Sequence, residues 1–266
     1  MLLKLSLNIK GVKKVTLLSL AIFLLLQASA ESLKVGMELS YPPFEMTNAK
    51  GEPDGISVGI AQGLAKFLNR ELKIENMSFD GLIPSLKTGS IDIIISSLTV
   101  NEERKKSIDF SEPYINTGLA LLVQKNSSIQ NENDLDQKNF QITVKKGTTA
   151  QAWALKNLKE AKVLAFDKEN TAVLEVIQNK ANAFIYDQMS VYHHWMKNPD
   201  QTKALLKAFQ KESWAIGIKK GNPELVKNVN LFIQDFRKKK GFSNLADKYL
   251  KEEKTVFKKL GVEFIL

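Results

Sequence analysis

Residues 91–114 read IDIIISSLTVNEERKKSIDFSEPY, an apolar run that turns abruptly into a dense cluster of charge. A short continuous apolar run such as IDIII marks a strand covered on both faces, as in parallel sheets packed between helices. It ends in the polar residues Ser96, Ser97 and Thr99. Asn101 then suits a helix N-cap, Glu102 and Glu103 its first turn, and Lys105 and Lys106 its solvated continuation. Arg104 has two readings. It is either one more solvated charge on a helix turn or a guanidinium held for an anion, since its planar fork can grip a carboxylate bidentately.

The same cadence extends in both directions from this stretch. Upstream, LKVGMELS (33–40) predicts a strand, and the prolines of PPF (42–44) force a non-helical turn. GIAQGLAKFLNREL (59–72) carries apolar residues at 60, 64, 67, 68 and 72, a helical stripe. GLIPSLKTGS (81–90) predicts a short helix stopped by Gly89. Downstream, QITV, KVLAF and ANAFIYD predict strands, separated by helices in GTTAQAWALKNL (147–158) and TAVLEVIQNK (171–180). From 214 onward, WAIGIKKGNPELVKNVNLFIQDF gives a strand, a turn and a long helix, and a lysine-rich helical end follows. Two βα cycles with no polar linker between them predict two α/β lobes packed side by side.

The chain has 266 residues, 44% hydrophobic and 25% charged, which is ordinary globular material. Its +9 formal charge invites a nucleic-acid partner, but part of that charge belongs to the N-terminus. Residues 1–30 begin with Lys4, Lys10, Lys13 and Lys14, continue through an apolar run from Val15 to Leu26, and end in Ala28-Ser29-Ala30. This is the pattern of a secretory signal peptide, with an apolar run too short to span a bilayer. Removing it takes away four of the 38 basic residues and none of the 29 acidic ones, so +9 falls to +5. The expectation is an exported, soluble, monomeric protein of the periplasm with no nucleic-acid partner. There is no cysteine. That excludes disulfides, thiolate nucleophiles, thiolate metal sites and a lipid anchor on cysteine. No metal or cofactor is expected.

In open α/β sheets, ligands bind beyond the carboxyl ends of the strands. Polar residues fall there at Glu38, at Ser96 and Ser97, from Lys145 to Thr149, and at Asp187, with Tyr41 and Phe79 nearby. Thr148 and Thr149 open a helix, whose backbone N–H groups favour an anion. Asp187, ending an apolar strand, would be costly there without a cationic partner. Anion-binding features together with one ammonium-binding carboxylate describe an α-amino acid site.

At YPPFE (41–45), residues 79–114, VKKGTTA (144–150) and NAFIYD (182–187), the sequence resembles the amino-acid-binding proteins of ABC transporters. These are the type II periplasmic solute-binding proteins of family 3, and the resemblance covers 33–250. It implies an α/β fold of two lobes, each a mixed sheet flanked by helices, joined by a two-stranded hinge. Lobe 1 would comprise 31–113 and 216–266, lobe 2 119–209, and the crossings would lie near 114–118 and 210–215. It further implies that Arg104 and Thr99, with the backbone near Thr148 and Thr149, bind the ligand α-carboxylate. Asp187 and Ser97 would take the α-ammonium, Tyr41 and Phe79 would sandwich the side chain, and Glu38 would read its far end. Ser57 and Gly59 stand where the family usually shows aspartates, a departure expected to affect lobe packing.

The implied function is capture of a polar L-amino acid by two-lobe closure and its delivery to a membrane ABC permease, with no chemistry done on the ligand. Glu38 between aromatic faces suits a cationic side chain. Lys145 argues instead for an amide such as glutamine, or simply pairs with Glu38. Two rivals stand: a dehydratase-like enzyme on the same fold, with a cleft carboxylate as general acid, and a ligand-sensing subunit for a separate receptor. His193 and His194 are adjacent, so on a helix they diverge and take no role. Lys238 to Lys240, after Arg237, read as a solvated helix end.

Overall fold

A computed structural model describes residues 32–262; the expected signal peptide lies outside them. β1 (Leu33–Met37) leads into β2 (Ser40–Tyr41), β3 (Glu45–Thr47) and β4 (Pro53–Asp54), a small antiparallel sheet whose first turn contains a cis Pro42–Pro43 bond. Then come α1 (Ile56–Phe67), β5 (Leu72–Asn76), α2 (Phe79–Thr88), β6 (Ile93–Ile94), α3 (Glu102–Lys105) and β7 (Ile108–Phe110). The second run comprises β8 (Ile115–Gln124), β9 (Gln141–Lys145), α4 (Thr149–Asn157), β10 (Lys162–Phe166) and α5 (Glu169–Ile177), followed by β11 (Ala183–Asp187), α6 (Gln188–Lys197) and β12 (Thr202–Trp214). The chain ends its described part in β13 (Gly217–Lys219), α7 (Pro223–Lys238), α8 (Gly241–Tyr249) and α9 (Lys251–Leu260).

These strands make two five-stranded sheets with matching layouts, β5-β1-β6-β13-β7 and β10-β9-β11-β8-β12. In each, three neighbouring strands run parallel, the fourth is added antiparallel to them, and the fifth pairs antiparallel with the fourth. The parallel strands are the apolar runs of the sequence: Val35, Ile93, Ile94, Ile142, Val144 and Ile185 are all buried. The chain passes between the sheets where Ile115 faces Trp214, Asn116 faces Ser213, Thr117 faces Glu212 and Gly118 faces Lys211. Residues 115–118 and 211–214 thus form an antiparallel pair.

Two elements differ from the sequence reading. The helical stripe over 59–72 ends at Phe67, because Asn69 turns left-handed (φ 53) and Arg70 N–H closes on the Ala65 carbonyl. Leu72, which continues the stripe by coincidence of spacing, instead opens β5 opposite Leu33. The long strand β12 has no sequence signal of its own. TKALLKAFQKESW alternates poorly, and its pairing with β8 shifts register between Leu205 and Gln210. Lysines and a bulge are how an edge strand discourages further pairing, and they are what hides it.

Candidate ligand-binding cleft

The carboxyl ends of β1, β6, β9 and β11 converge on one cavity of about 450 Å³ including its mouth. Of the residues expected there, all except Lys145 line it: Glu38, Tyr41, Phe79, Ser96, Ser97, Thr99, Arg104, Thr148, Thr149 and Asp187.

On the first sheet, Ser96 Oγ accepts from the Glu38 backbone N–H (3.0 Å) and fixes the end of β1 against that of β6. Ser97 stands in the left-handed region (φ 48), a conformation that turns the chain out of the strand at some cost for a non-glycine residue. α3 is a single turn capped by Asn101, whose side chain accepts from Arg104 N–H (2.8 Å). That cap fixes which way the turn's side chains divide. Lys105 and Lys106 point to solvent and pair with Glu102 and Glu103. Arg104 is only 9% exposed and donates to the Thr99 carbonyl (2.7 Å) and, across the cleft, to the Gly147 carbonyl (3.0 Å). Burial pulls its pKa down to about 10, so it is charged at neutral pH.

On the second sheet, β9 ends at Lys145 and the chain reverses through Gly147 (φ 76), where an added Cβ would meet the Asp80 Cβ at 3.0 Å. Thr148 caps α4, accepting from Gln151 N–H (3.3 Å) and donating to the Lys145 carbonyl (2.6 Å). Asp187 caps α6, accepting from the N–H groups of Met189 (3.0 Å) and Ser190 (3.1 Å). The helix N-terminus therefore accommodates this buried carboxylate, where the sequence reading called for a cation. Burial still pushes its pKa up to about 7, with the neighbouring Glu169 charge adding to the rise.

The aromatic wall is larger than expected. Tyr41 stacks on Phe44 (5.3 Å between centroids) and meets the edges of Tyr186 (6.0 Å) and Trp214 (6.1 Å). Phe79 faces both cations, with Arg104 at 5.6 Å and Lys145 at 5.8 Å from its ring centre. Lys145 is fully buried beside the cavity and forms an ion pair with Glu38, so the pairing alternative describes the observed geometry.

The Ser97 hydroxyl donates to Glu45 (3.1 Å), which also receives Ser96 (3.3 Å) and Ser57 (2.6 Å). Glu45 is 2% exposed, and burial pushes its pKa up to about 8 despite these three hydroxyls. Ser57 consequently supports the cleft floor, whereas Gly59 does concern packing: a Cβ there would meet Leu245 at 2.5 Å. Glu45, Leu119, Ala150, Tyr186, Glu212 and Trp214 are the lining residues that sequence reasoning missed. Glu45 and Tyr186 lie inside motifs already quoted, YPPFE and NAFIYD. Trp214 opens the stretch WAIGIKK already read as a strand, whereas Glu212 rides on the part of β12 that the sequence concealed.

The cavity thus presents a guanidinium on one sheet and a buried carboxylate on the other, flanked by aromatic rings and threonine hydroxyls. Residues 33–252 match the family described as bacterial extracellular solute-binding proteins, family 3. The chain belongs to that family. Among relatives of this family 3 protein is the L-cystine-binding protein TcyJ of Escherichia coli K12, 30% identical over 218 residues, 82% of each chain. The L-arginine-binding protein of Pseudomonas aeruginosa is 29% identical over 256 residues, 92% of this chain and 96% of its own. A binding component of an ABC transporter from Wolinella succinogenes, solved with lysine, is 34% identical with a TM-score of 0.78. It covers 84% of this chain and 97% of its own. The family 3 protein therefore has the type II periplasmic binding fold, two mixed sheets flanked by helices.

Proposed function

We propose that the protein captures a polar L-amino acid, basic or glutamine-like, by closing its two lobes, and delivers it to a membrane ABC permease. One observation carries this: Arg104 and Asp187, from opposite sheets, line a single cavity. Arg104 is the partner for an α-carboxylate, with Thr99 and the backbone near Thr148 and Thr149 as further donors; Asp187 and Ser97 take an α-ammonium, and Tyr41 and Phe79 lie beside the side chain. Glu38 and Lys145, paired at the cleft wall, read its far end. The lobes would be 31–113 with 216–266, and 119–209. The ladder over 114–118 and 210–215 acts as hinge, and closure selects the form the permease recognises. Residues 1–30 direct export, and the protein works as a periplasmic monomer.

The enzyme reading is weaker on the same geometry. A general acid must keep a proton and face the ligand. Glu38 is committed to Lys145, and Glu45, whose pKa burial raises to about 8, turns its oxygens to three serines. The protein is accordingly proposed as a carrier.

Thermal-shift screening of the mature protein against the twenty amino acids, ornithine and cystine tests the proposal. A cognate ligand at a hundredfold excess over Kd adds about 2.7 kcal/mol, which raises Tm by roughly 5 °C or more. No shift with any of them would sink it.

A further inference from the structure

Glu212 lies on β12 at the passage between the sheets, opposite Thr117 of β8, and is 8% exposed. Its Oε2 accepts two hydroxyl hydrogen bonds, from Thr99 (3.0 Å) and from Thr149 (3.0 Å). Its Oε1 accepts from the Gln210 side-chain amide (2.8 Å). Thr99 follows β6 of the first sheet, and Thr149 opens α4 behind β9 of the second. A single carboxylate on the crossing strand therefore holds one residue from each side of the cleft.

Arg104 makes the complementary bridge, donating to the Thr99 and Gly147 carbonyls. Thr99 is common to both, its carbonyl taken by Arg104 and its hydroxyl by Glu212. Hydroxyl bonds to an ionised carboxylate are stronger than neutral ones. Both can be made at once only while Thr99 and Thr149 stand together, so the interaction exists in the closed arrangement and must lose at least one bond on opening.

We propose that Glu212 is the closure latch of this cleft: a positioning residue that gathers Thr99 and Thr149, favours the closed form and slows ligand release. The proposal rests on the reading of the cleft as one that closes on an amino acid. A ligand can shift a two-state equilibrium only by its differential affinity, and a built-in latch lowers the share the ligand must supply.

The chain has no cysteine, so Lys87→Cys and Lys159→Cys, exposed residues on opposite lobes, give unique sites for a pair of spin labels. Distances are compared without ligand in the parent, Glu212→Ala, Glu212→Gln and Thr149→Val. Association and dissociation rates are measured for the amino acid found by thermal shift. Expected is a move toward longer distances in Glu212→Ala, with dissociation faster by about tenfold and association changed by less than about twofold. Glu212→Gln, which keeps one acceptor oxygen, and Thr149→Val, which removes one donor, should fall between. If Glu212→Ala does not fold, those two variants carry the test. Unchanged distances with an unchanged dissociation rate overturn the latch. So does tighter binding, which would make Glu212 a competitor for the threonine hydroxyls. If the parent binds no amino acid, the functional reading fails separately, and the ligand-free distances still decide the latch.

Discussion

Lys145 ends β9 and Glu38 directly follows β1, one from each sheet, and their side chains meet in an ion pair across the cleft wall. The lysine is 2% exposed and the glutamate side chain 14%, so neither charge is fully relieved by water. Removing one partner of such a pair leaves the other uncompensated.

Lys145→Met should therefore free Glu38 for a cationic ligand. The preference for arginine over glutamine is expected to rise by about tenfold, and Glu38→Gln should move it the other way. Competition calorimetry with the two amino acids reads this directly. An unchanged ratio in both variants would remove the pair from the specificity determinants.

Arg104→Ala should weaken every α-amino acid alike, by about a hundredfold or more, because the lost partner is common to all of them. Arg104→Lys keeps the charge but not the fork that reaches Thr99 and Gly147, and should recover only part of the affinity. Normal binding by Arg104→Ala would displace the carboxylate subsite from this position.

Proton linkage gives an independent check on Asp187. Burial raises its pKa from 3.8 to about 7, so between those values the folded state holds a proton that the unfolded state has lost. Glu45, raised from 4.5 to about 8, behaves the same way. The contribution of both groups to ligand-free stability thus falls as pH rises from about 4 to about 8, the reverse of the usual carboxylate. An ammonium bound at Asp187 requires the ionised form. Binding at pH 6 should then release up to about one proton, and binding at pH 8, where the free ligand's ammonium is still largely intact, almost none. Calorimetry in buffers of different ionisation enthalpy measures this; equal release at both values would place the ammonium elsewhere.

Gly55 holds the turn that carries Tyr41 and Glu45. Its φ is 118, and an added Cβ would sit 2.4 Å from the Phe44 carbonyl oxygen. Gly55→Ala should cost about 2–4 kcal/mol in urea unfolding, since both the dihedral and the contact are forbidden to a side chain. Stability within 0.5 kcal/mol of the parent, roughly the spread of ordinary surface changes, would show that the turn yields freely.

The sequence was most legible where strands are buried on both faces, because a run such as IDIII has few other uses. Arg104 shows where pattern stops. Nothing in NEERKK separates it from Lys105 and Lys106, and only the cap on Asn101 decides which side chain turns inward. Family resemblance, not periodicity, singled it out. Glu212 was invisible for a different reason: its strand is stabilised by pairing with β8, a partner nearly a hundred residues distant, and leaves no local trace. Glu45 was overlooked because its importance lies in three serines brought to it from residues 57, 96 and 97.

The position of β13 bears on how the chain can be made. It is laid down after the whole second sheet, yet it inserts between β6 and β7 in the first. During synthesis from the N-terminus, the earlier half waits with a gap in its middle until residues 217–219 emerge. The half that begins first is thus completed last.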